Sequence, residues 1–453
     1  MSRSIHAVLR RIKGDVAQYL SPELIRAVCE TIGHTWRERV LDPVTTVHLF
    51  VLQILHGNTA CSHVPRLGGV DCTGEAYCRA RRRLPLAVLS YLTRTLGQFL
   101  TGGPPAAADG RWRGHRTFLV DGTGITLPDT KELQRAYPQS GSQKPGCGFP
   151  AIHLLALFHA ATGFLLHVAA APLRTHDMSR IGQLHPDLRP GDILVGDRAF
   201  CSFAHLALLA ARHVFGVLRA HQKQLIDFRP HRRHATSQSR KAGERARPTS
   251  RWLKRLGRHD QLVEYVKPRS RPEWLSVEAY LALPDAVIVR EIRYTIRTAG
   301  CRTRGVTVVT TLLDPERYPA ADVAALYGRR WQIELNFRHL KQTLKMDALH
   351  CQTVAGVQKE LATYALVYNL VRQVMLEAAG RQQVPVDRIS FIDAVRWLAD
   401  ALYGERELKL RVVPKRSGRC EPRAVKRRPK EYDRLNQPRA ALRKRLKSKK
   451  VKA

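Results

Sequence analysis

The run RTFLVDGTGITL, residues 116–127, decides the fold because it opens a series of strand-like segments. Its apolar alternation predicts a β-strand that is broken by Asp121, which is followed by Gly122 and Gly124. Two further apolar runs are joined by the short turn Ala161-Thr162-Gly163, which predicts a hairpin. Together these segments predict three antiparallel strands: RTFLVDGTGITL (116–127), AIHLLALFHA (151–160) and FLLHVAAAPL (164–173).

The residues that follow, 178–220, alternate between helical and strand-like patterns. They predict a helix, a strand that ends at Asp197, a second helix and a further strand: MSRIGQLHPDL (178–188), DILVGDRAF (192–200), FAHLALLAARH (203–213) and VFGVLRA (214–220). Three strands, helix, strand, helix and strand is the order of the ribonuclease-H-like fold, an α/β architecture. That fold places carboxylates from its first and fourth strands next to one another, so we expect Asp121 and Asp197 to be neighbours.

A second informative stretch is YGRRWQIELNFRHLK, residues 327–341, called the signature stretch below. Its pattern predicts a helix. At 100° per residue, four of its side chains fall within a sector roughly 60° wide: Tyr327, Arg330, Glu334 and Lys341. One carboxylate is therefore flanked by a phenol and two cations, although an amphipathic surface helix with solvated charges would carry the same stripe.

The spacing Y-x2-R-x3-E-x6-K in the signature stretch resembles the signature of the insertion-sequence-4 group of DDE transposases. VDGTGI (120–125) and VGDRAF (195–200) match the two aspartate motifs of that family, and the resemblance covers residues 117–350. It implies two sets of functional residues, one that binds catalytic metal ions and one that holds the backbone of the transposon end: Asp121, Asp197 and Glu334 for the first, and Tyr327, Arg330 and Lys341 for the second.

Three converging carboxylates suit phosphodiester cleavage. Two divalent ions about 3.5 to 4 Å apart can deprotonate the attacking oxygen and stabilise the leaving oxygen. Hard cations take oxygen ligands, so we expect Mg²⁺ as the cofactor and expect Mn²⁺ to substitute for it. Each acid also has a structural interpretation: a turn pair with Gly122 for Asp121, a helix cap for Asp197 and an ion pair along its helix for Glu334.

The formal net charge of +38, from 76 Lys and Arg against 38 Asp and Glu, indicates a polyanionic partner. DNA, as transposon ends and target, is the expected partner, and the resemblance implies a homodimer in a synaptic complex. A membrane partner is disfavoured because the N-terminus lacks an apolar signal region and the apolar runs are interrupted before spanning length. Nine scattered cysteines without a CxxC pair fit reduced thiols, so we expect a cytoplasmic, nucleoid-associated protein.

Shifts in composition divide the chain into five parts. We expect a helical N-terminal DNA-binding domain (1–100), a Gly- and Pro-rich linker (101–116) and a ribonuclease-H-like catalytic core in two parts (117–220 and 315–405). We also expect a basic loop with a β-rich insertion (221–314) and a basic tail that is disordered until bound (406–453). A short helix in the first domain carries Arg79, Arg81 and Arg82, which suits DNA binding, although a solvated basic helix is an equal alternative.

One departure from the family pattern concerns base flipping. Some relatives carry a Trp on the strand before the signature stretch, which holds a flipped base when the excised end forms a hairpin. Here that strand is VTVVTTLL (306–313) and has no Trp. Trp252 and Trp274 are candidates to replace it, with a core role as the alternative. His176 and Asp177 are candidates to lie near the site, with a structural or solvated His as the alternative.

These expectations describe a DNA transposase that catalyses metal-dependent cleavage at terminal inverted repeats and strand transfer into target DNA. Two other functions share the same features. One is a non-catalytic or domesticated DNA-binding protein, and the other is a nuclease on the same fold that never joins strands. Inverted repeats that bracket the coding region, with short direct duplications outside them, would favour the transposase.

The charge distribution predicts salt-sensitive DNA binding. Excess positive charge is concentrated in residues 219–258 and 409–453, so phosphate contacts should dominate the affinity. Deletion of residues 409–453 should flatten the slope of log affinity against log salt concentration, because fewer counterions are released, and should leave cleavage detectable at low salt. Fluorescence anisotropy at several salt concentrations measures the slope, and an unchanged slope would exclude the tail from the DNA interface.

Overall fold

The computed structural model describes residues 20–102, 110–235, 247–296, 305–399, 408–414 and 432–450. Within these ranges nine strands form one sheet: β1 (Thr117–Thr126), β2 (Ala151–His159), β3 (Leu165–Pro172), β4 (Ile193–Gly196), β5 (Phe215–Arg219), β6 (Arg251–Gly257), β7 (Asp260–Val266), β8 (Ala286–Thr295) and β9 (Gly305–Thr310). Their order across the sheet is β3-β2-β1-β4-β5-β9-β8-β7-β6. Parallel and antiparallel pairs both occur, so the protein is a mixed α/β protein built on one large sheet.

The helices surround this sheet. They are α1 (Pro22–Thr31), α2 (Pro43–Leu55), α3 (Val64–Gly68), α4 (Gly74–Arg83), α5 (Leu86–Gly102), α6 (Lys131–Ala136), α7 (Met178–Leu184), α8 (Phe203–Ala211), α9 (Val277–Leu281), α10 (Ala320–Gly328), α11 (Gln332–Arg338), α12 (Val354–Arg381), α13 (Phe391–Ala399) and α14 (Arg439–Lys450). In the part of the chain that is described, no helix combines the length and apolar character that a membrane crossing requires.

Residues 20–102 are helical and contain no strand. Local sequence starts these helices: the side chains of Ser21, Asp42 and Thr73 cap α1, α2 and α4, and each accepts a backbone N–H from the first turn. The helices share one apolar core with the rest of the chain, in which α2 and α5 pack along α12. They are therefore built onto the central sheet.

The first five strands follow the order that the sequence predicts. β1 pairs antiparallel with β2, and β2 with β3, whereas β1, β4 and β5 run parallel to one another. α7 lies between β3 and β4 along the chain, and α8 lies between β4 and β5. Side chains that alternate along β1 enter two separate cores: Leu119 and Ile125 face the one that contains α12, and Phe118 and Val120 face the one that contains α7 and α8.

The β-rich region does not form a sheet of its own. β9 pairs antiparallel with β5, and β8, β7 and β6 continue the same sheet. A buried ion pair fixes this extension: Arg290 Nε and Nη2 lie 2.8 and 2.5 Å from the two carboxylate oxygens of Asp260. Arg290 Nη1 also donates to the carbonyl of Tyr318, 2.6 Å away, just before α10. The extension is thus tied to the approach to the signature stretch.

A second buried ion pair fixes the parallel register between β1 and β4. Arg116 and Asp192 directly precede these strands, and Arg116 Nε and Nη2 lie 2.8 and 2.5 Å from the oxygens of Asp192. Thr117 to Val120 then pair residue by residue with Ile193 to Gly196. Both side chains of the ion pair are less than a tenth exposed. The pair therefore holds the two strand starts level.

Part of the basic tail is ordered. Residues 432–450 lie against the loop between β1 and β2, where Arg439 Nε is 2.6 Å from Asp129 Oδ2, and they end in α14. This differs from the expectation of a tail without structure, which was based on its composition. Residues 400–407, 415–431 and 451–453 of the predicted tail and its approach lie outside the described residues.

The ion pair at the strand starts predicts a large and asymmetric effect on stability. Arg116→Met should lower the free energy of unfolding by about 3 to 5 kcal/mol, because it leaves the carboxylate of Asp192 buried without its partner. Adding Asp192→Asn should restore part of that loss. Arg113→Met, which breaks the more exposed pair with Asp322, should cost about 1 kcal/mol or less. Urea unfolding measures all three variants, and equal losses for Arg116→Met and Arg113→Met would contradict the prediction.

Candidate active site

Asp121 and Asp197 are neighbours at the point where the parallel pairing of β1 and β4 ends. Val120 is paired with Gly196, the last residue of β4, and Asp197 follows it directly. β1 itself continues through Asp121 to Thr126, so the strand break predicted at Asp121 does not occur. Asp121 Oδ1 accepts the N–H of Gly122 at 2.8 Å, and Asp197 Oδ1 accepts the N–H of Ala199 at 2.8 Å. One oxygen of each carboxylate therefore accepts a local backbone N–H, as the turn and cap interpretations of these acids require.

The signature stretch is helical, but its winding changes twice. α10 ends at Gly328, a 3₁₀ turn spans Arg329–Trp331, α11 follows, and a π turn spans His339–Thr343. Departures of this kind inside helices are often found at functional sites. They change which residues share a face, so the angles of an ideal helix only approximate the arrangement here.

Arg330 links the signature stretch to β1. Its Nη1 is 3.3 Å from Asp121 Oδ2, and its Nη2 is 3.8 Å from Glu334 Oε1. The guanidinium therefore lies between the two carboxylates. Glu334 is about half exposed, with 54% of its side-chain surface accessible, so the cluster is open to solvent on that side.

The other two residues of the stripe also approach the strand ends. Lys341 Nζ donates to the carbonyl of Gly124 at 2.9 Å and to Thr123 Oγ1 at 3.3 Å. Tyr327 is buried, and burial raises the pKa of its phenol, an effect that the charge of Arg330 reduces and that of Asp197 increases. Arg330 and Lys341 thus contact β1, Tyr327 lies close enough to Asp197 for its charge to affect the phenol's pKa, and Glu334 is linked to Asp121 through Arg330.

The carboxylate cluster has an unusual electrostatic environment. Burial raises the pKa of Asp121 to about 6, and the negative charges of Asp197 and Asp177 add to this effect. The N–H of Gly122 and the charge of Arg330 only partly offset it. Perturbed carboxyl groups of this kind concentrate at functional sites, which marks this edge of the sheet as the candidate active site.

Asp177 is a fourth acid in the cluster. Burial and the charge of Asp197 raise its pKa, and the charges of His153 and His176 lower it. His153 Nδ1 on β2 lies 3.2 Å from Asp177 Oδ1. Both groups press on β1: a methyl group at Gly122 would lie 2.5 Å from the ring of His153 and 2.8 Å from Asp177 Oδ1. The sequence offered Asp177 only as a candidate and gave no signal for His153.

His176 has a local structural contact. Its Nδ1 accepts the backbone N–H of Met178 at 3.2 Å, at the start of α7. This contact fits the structural interpretation of that histidine. Asp177, the next residue, is thereby held where the chain turns from β3 into α7.

The part of the chain that contains this cluster matches a known protein family. Residues 112–370, more than half of the chain, match the family model of the transposase DDE domain. This chain belongs to the DDE transposase family. It is a DNA transposase.

Two transposases and one solved structure are similar to this chain over most of its length. The transposase InsG for insertion sequence element IS4 of Escherichia coli K12 is 25% identical, and the match covers 94% of each chain. The transposase for insertion sequence element IS231C of Bacillus thuringiensis subsp. berliner is 22% identical over 84% of each chain. A cryo-EM structure of the piggyBac transposase synaptic complex with hairpin DNA covers 89% of this chain and 81% of its own, at 10% identity and a TM-score of 0.43.

The carboxylates offer the ligand chemistry of a hard divalent cation, with one oxygen each of Asp121 and Asp197 not engaged by a neighbouring backbone N–H. Among the described residues, however, no three His, Cys, Asp or Glu side chains are grouped closely enough to hold an ion in this arrangement. Arg330 lies between Asp121 and Glu334. The residue types therefore fit such an ion, and closing the set around it requires Arg330 and Glu334 to shift.

The N-terminal arginines fall into two classes. Arg79 and Arg82 are exposed, and Arg79 pairs with Glu75 on the same helix. Arg81 is partly buried and donates to Gln53 Oε1 at 2.8 Å and to Cys351 Sγ at 3.0 Å. Its guanidinium also lies 3.9 Å from the centre of the Phe50 ring. Arg81 thus joins α4 to α2 and to the segment before α12, and its charge faces the protein.

The tryptophans lie at different depths. Trp252 packs on the ring of His231 with their centres 4.4 Å apart, and Trp274 packs partly buried against the second core. Trp331, which the sequence analysis did not single out, is 49% exposed, and its ring lies 4.8 Å from the guanidinium of Arg330. The sequence could have pointed to Trp331 through its position inside the signature stretch.

The raised pKa of Asp121 predicts a pH-dependent stability difference. Its folded-state pKa of about 6 exceeds the ordinary value of 3.8, so wild type should lose stability as pH rises from 3.8 through about 6. Asp121→Asn has no proton to lose there and should be more stable above pH 7, by on the order of 2 kcal/mol in metal-free buffer. Below pH 4 the two should be similar.

The matched control for this prediction is Glu334→Gln, because Glu334 is about half exposed. We expect it to change the free energy of unfolding little at any pH. Urea unfolding of the three proteins at pH 4, 6 and 8 in the presence of a chelator measures the difference. Equal stability of wild type and Asp121→Asn at pH 8 would contradict the prediction.

Proposed function

We propose that this transposase cleaves DNA at the terminal inverted repeats of its element and joins the freed 3′ ends to target DNA, with Asp121, Asp197 and Glu334 as its metal ligands. The observation that carries the proposal is the parallel register that puts Asp121 beside Asp197. The contact of Arg330 with both Asp121 and Glu334 supports the third ligand.

Two Mg²⁺ ions, for which Mn²⁺ is expected to substitute, would deprotonate the attacking oxygen and stabilise the leaving oxygen. The protein's part is to orient the ligands. The N–H groups of Gly122 and Ala199 each hold one carboxylate oxygen and so leave the other one of Asp121 and of Asp197 for an ion. Glu334, on a helix with altered winding, is the ligand that moves into place.

The cations beside the carboxylates are suited to phosphate groups. Arg330 can present two N–H groups to one phosphate, and in doing so it would leave the space between Asp121 and Glu334. Lys341 is a point charge beside Thr123 and Gly124. Tyr327 is expected to contribute its hydroxyl. We therefore assign Tyr327, Arg330 and Lys341 to the backbone of the transposon end.

The N-terminal helices are proposed to contact the duplex farther from the cleavage point. Arg79 and Arg82 are exposed and suit phosphate contacts. The contacts of Arg81 with Gln53 and Cys351 favour a different role, in which it holds the basic helix α4 in place. A substitution at Arg81 would then act through the orientation of α4.

We also propose a ribonuclease-H-like core and a synaptic homodimer. The strand order β3-β2-β1-β4-β5, with three antiparallel strands followed by two parallel ones, supports the fold. An element has two ends that must be processed together, which supports a complex that contains two copies of the chain. The β6–β9 extension continues the sheet beyond β5 in this arrangement.

The decisive experiment is cleavage and strand transfer on DNA that carries the element's ends. Asp121→Asn, Asp197→Asn and Glu334→Gln should each lower cleavage by on the order of a thousandfold or more, because each removes a metal ligand. Binding to the same DNA in Ca²⁺ should stay close to wild type. Glu316→Gln, which changes an exposed acid before α10, is the matched control and should retain full activity.

The other outcomes identify the competing functions. Cleaved ends that never join target DNA would indicate a nuclease, and end-specific binding without cleavage in Mg²⁺ or Mn²⁺ would indicate a DNA-binding protein. An active Glu334→Gln enzyme would overturn the proposed ligand set. Mn²⁺ is expected to sustain the wild type because it shares the preference of Mg²⁺ for oxygen ligands.

A further inference from the structure

Residues 432–439, called the C-terminal strap here, run across the catalytic core close to the carboxylates. Hydrogen bonds to backbone groups of the strap hold it at several points along the loop between β1 and β2. Gln143 Nε2 donates to the carbonyl of Tyr432 at 2.6 Å, and the N–H of Leu435 donates to the carbonyl of Cys147 at 2.7 Å. Residues almost three hundred positions apart are thereby joined, so the strap is part of the folded core.

The C-terminal end of the strap is fixed by one side chain. Arg439 Nε lies 2.8 and 2.6 Å from the two carboxylate oxygens of Asp129. Its other nitrogens donate to the carbonyls of Gly146, at 2.9 Å, and Gly148. The Arg439 side chain is only 11% exposed. Its charge is therefore used inside the protein as an anchor.

The N-terminal end of the strap touches the strand that carries Asp121. A methyl group at Gly124 would lie 2.5 Å from the hydroxyl oxygen of Tyr432, so this phenol rests directly against the glycine. Gly124 is three residues beyond Asp121 and is also contacted by Lys341. Side chains alternate along a strand, so Lys341 approaches β1 from the face of Asp121 and Thr123, and Tyr432 approaches it from the opposite face.

Beyond the strap the chain becomes strongly basic. α14, residues 439–450, contains seven Lys and Arg and no acid. Arg439 uses its charge on Asp129. Of the other cations, Arg443 and Lys444 have exposed side chains. A polyanion is the partner that such a helix fits. Because its first residue is anchored, the helix has a fixed place relative to β1.

We propose that the strap and α14 form a fixed DNA-binding element beside the active site, and that the Tyr432 hydroxyl binds a backbone phosphate of the transposon end. This inference rests on the proposed function. In it the signature stretch lines one face of the β1 end and the strap lines the other. The DNA strand lies along the end of β1 between Lys341 and Tyr432, and α14 holds the duplex that continues from it.

The test compares three substitutions in the full-length protein. Tyr432→Phe keeps the ring against Gly124 and removes only the hydroxyl. Arg439→Ala releases the anchor, and Arg443→Ala removes the same charge one turn later at an exposed position. Binding of each protein to terminal-repeat DNA and to random DNA in Ca²⁺ is measured over a range of salt concentrations. Thermal unfolding checks that each variant is folded.

Tyr432→Phe should weaken binding to terminal DNA about three- to tenfold. The slope of log affinity against log salt should stay unchanged, because the phenol carries no charge. Arg439→Ala should weaken terminal binding more than Arg443→Ala does, although both lose one charge. A role of the Tyr432 ring alone would leave the affinity of Tyr432→Phe unchanged, since the ring is kept. A structural role of the hydroxyl, which touches Gly124, would instead lower the melting temperature of Tyr432→Phe.

Two results would overturn the inference while the proposed function stands. In the first, wild type prefers terminal DNA, Tyr432→Phe binds it as tightly as wild type does, and Arg439→Ala binds it as tightly as Arg443→Ala does. In the second, Tyr432→Phe or Arg439→Ala binds or cleaves terminal DNA better than wild type, which would mean that the strap obstructs the site. Wild type without any preference for terminal DNA would contradict the proposed function, and the inference would fall with it.

Discussion

The buried ion pair between Arg116 and Asp192 is the interaction on which the active site depends. Asp121 follows Arg116 by five residues, Asp197 follows Asp192 by five residues, and the four pairs between them are in parallel register. A slip of one residue would turn alternate side chains to the other face of the sheet. The salt bridge at the strand starts therefore determines whether the two carboxylates become neighbours. The geometry of the candidate site is set by packing about five residues away from it.

The same geometry brings negatively charged side chains close together in a partly buried site. Burial is the main cause that raises the pKa of Asp121, and the negative charges of Asp197 and Asp177 add to it. Arg330 offsets this only in part. A site of this kind lowers the stability of the folded protein, and bound cations or DNA can restore it. Such a trade between stability and function is common. This lowered stability explains why the guanidinium of Arg330 lies between Asp121 and Glu334.

Local patterns in the sequence predicted the series β1 to β5, because each strand and helix in it has its own periodicity and boundary residues. The same patterns placed Asp121 at a break in its strand, Asp197 at a strand end and Glu334 on a helix; β1 in fact runs unbroken through Asp121, and whether the three share metal ions stays a prediction. Long-range pairing was not predictable. Strand-like alternation in residues 261–313 could not reveal that β9 pairs with β5, and the basic run at 79–83 could not reveal that Arg81 contacts Cys351, 270 positions away. The composition of residues 432–450 suggested disorder, since contacts with Asp129 and Cys147 leave no local signal.

The motif VDGTGI can be understood from the two faces of β1. Asp121 and Thr123 point to the face of the signature stretch, where Arg330 and Lys341 contact them. The two glycines between and after them point to the opposite face, where His153 with Asp177, and then Tyr432, occupy the space of a side chain. A Cβ at either position would have to displace one of these groups. The alternation of polar residue and glycine thus lets Arg330 and Lys341 approach one face of the same short strand while His153, Asp177 and Tyr432 approach the other.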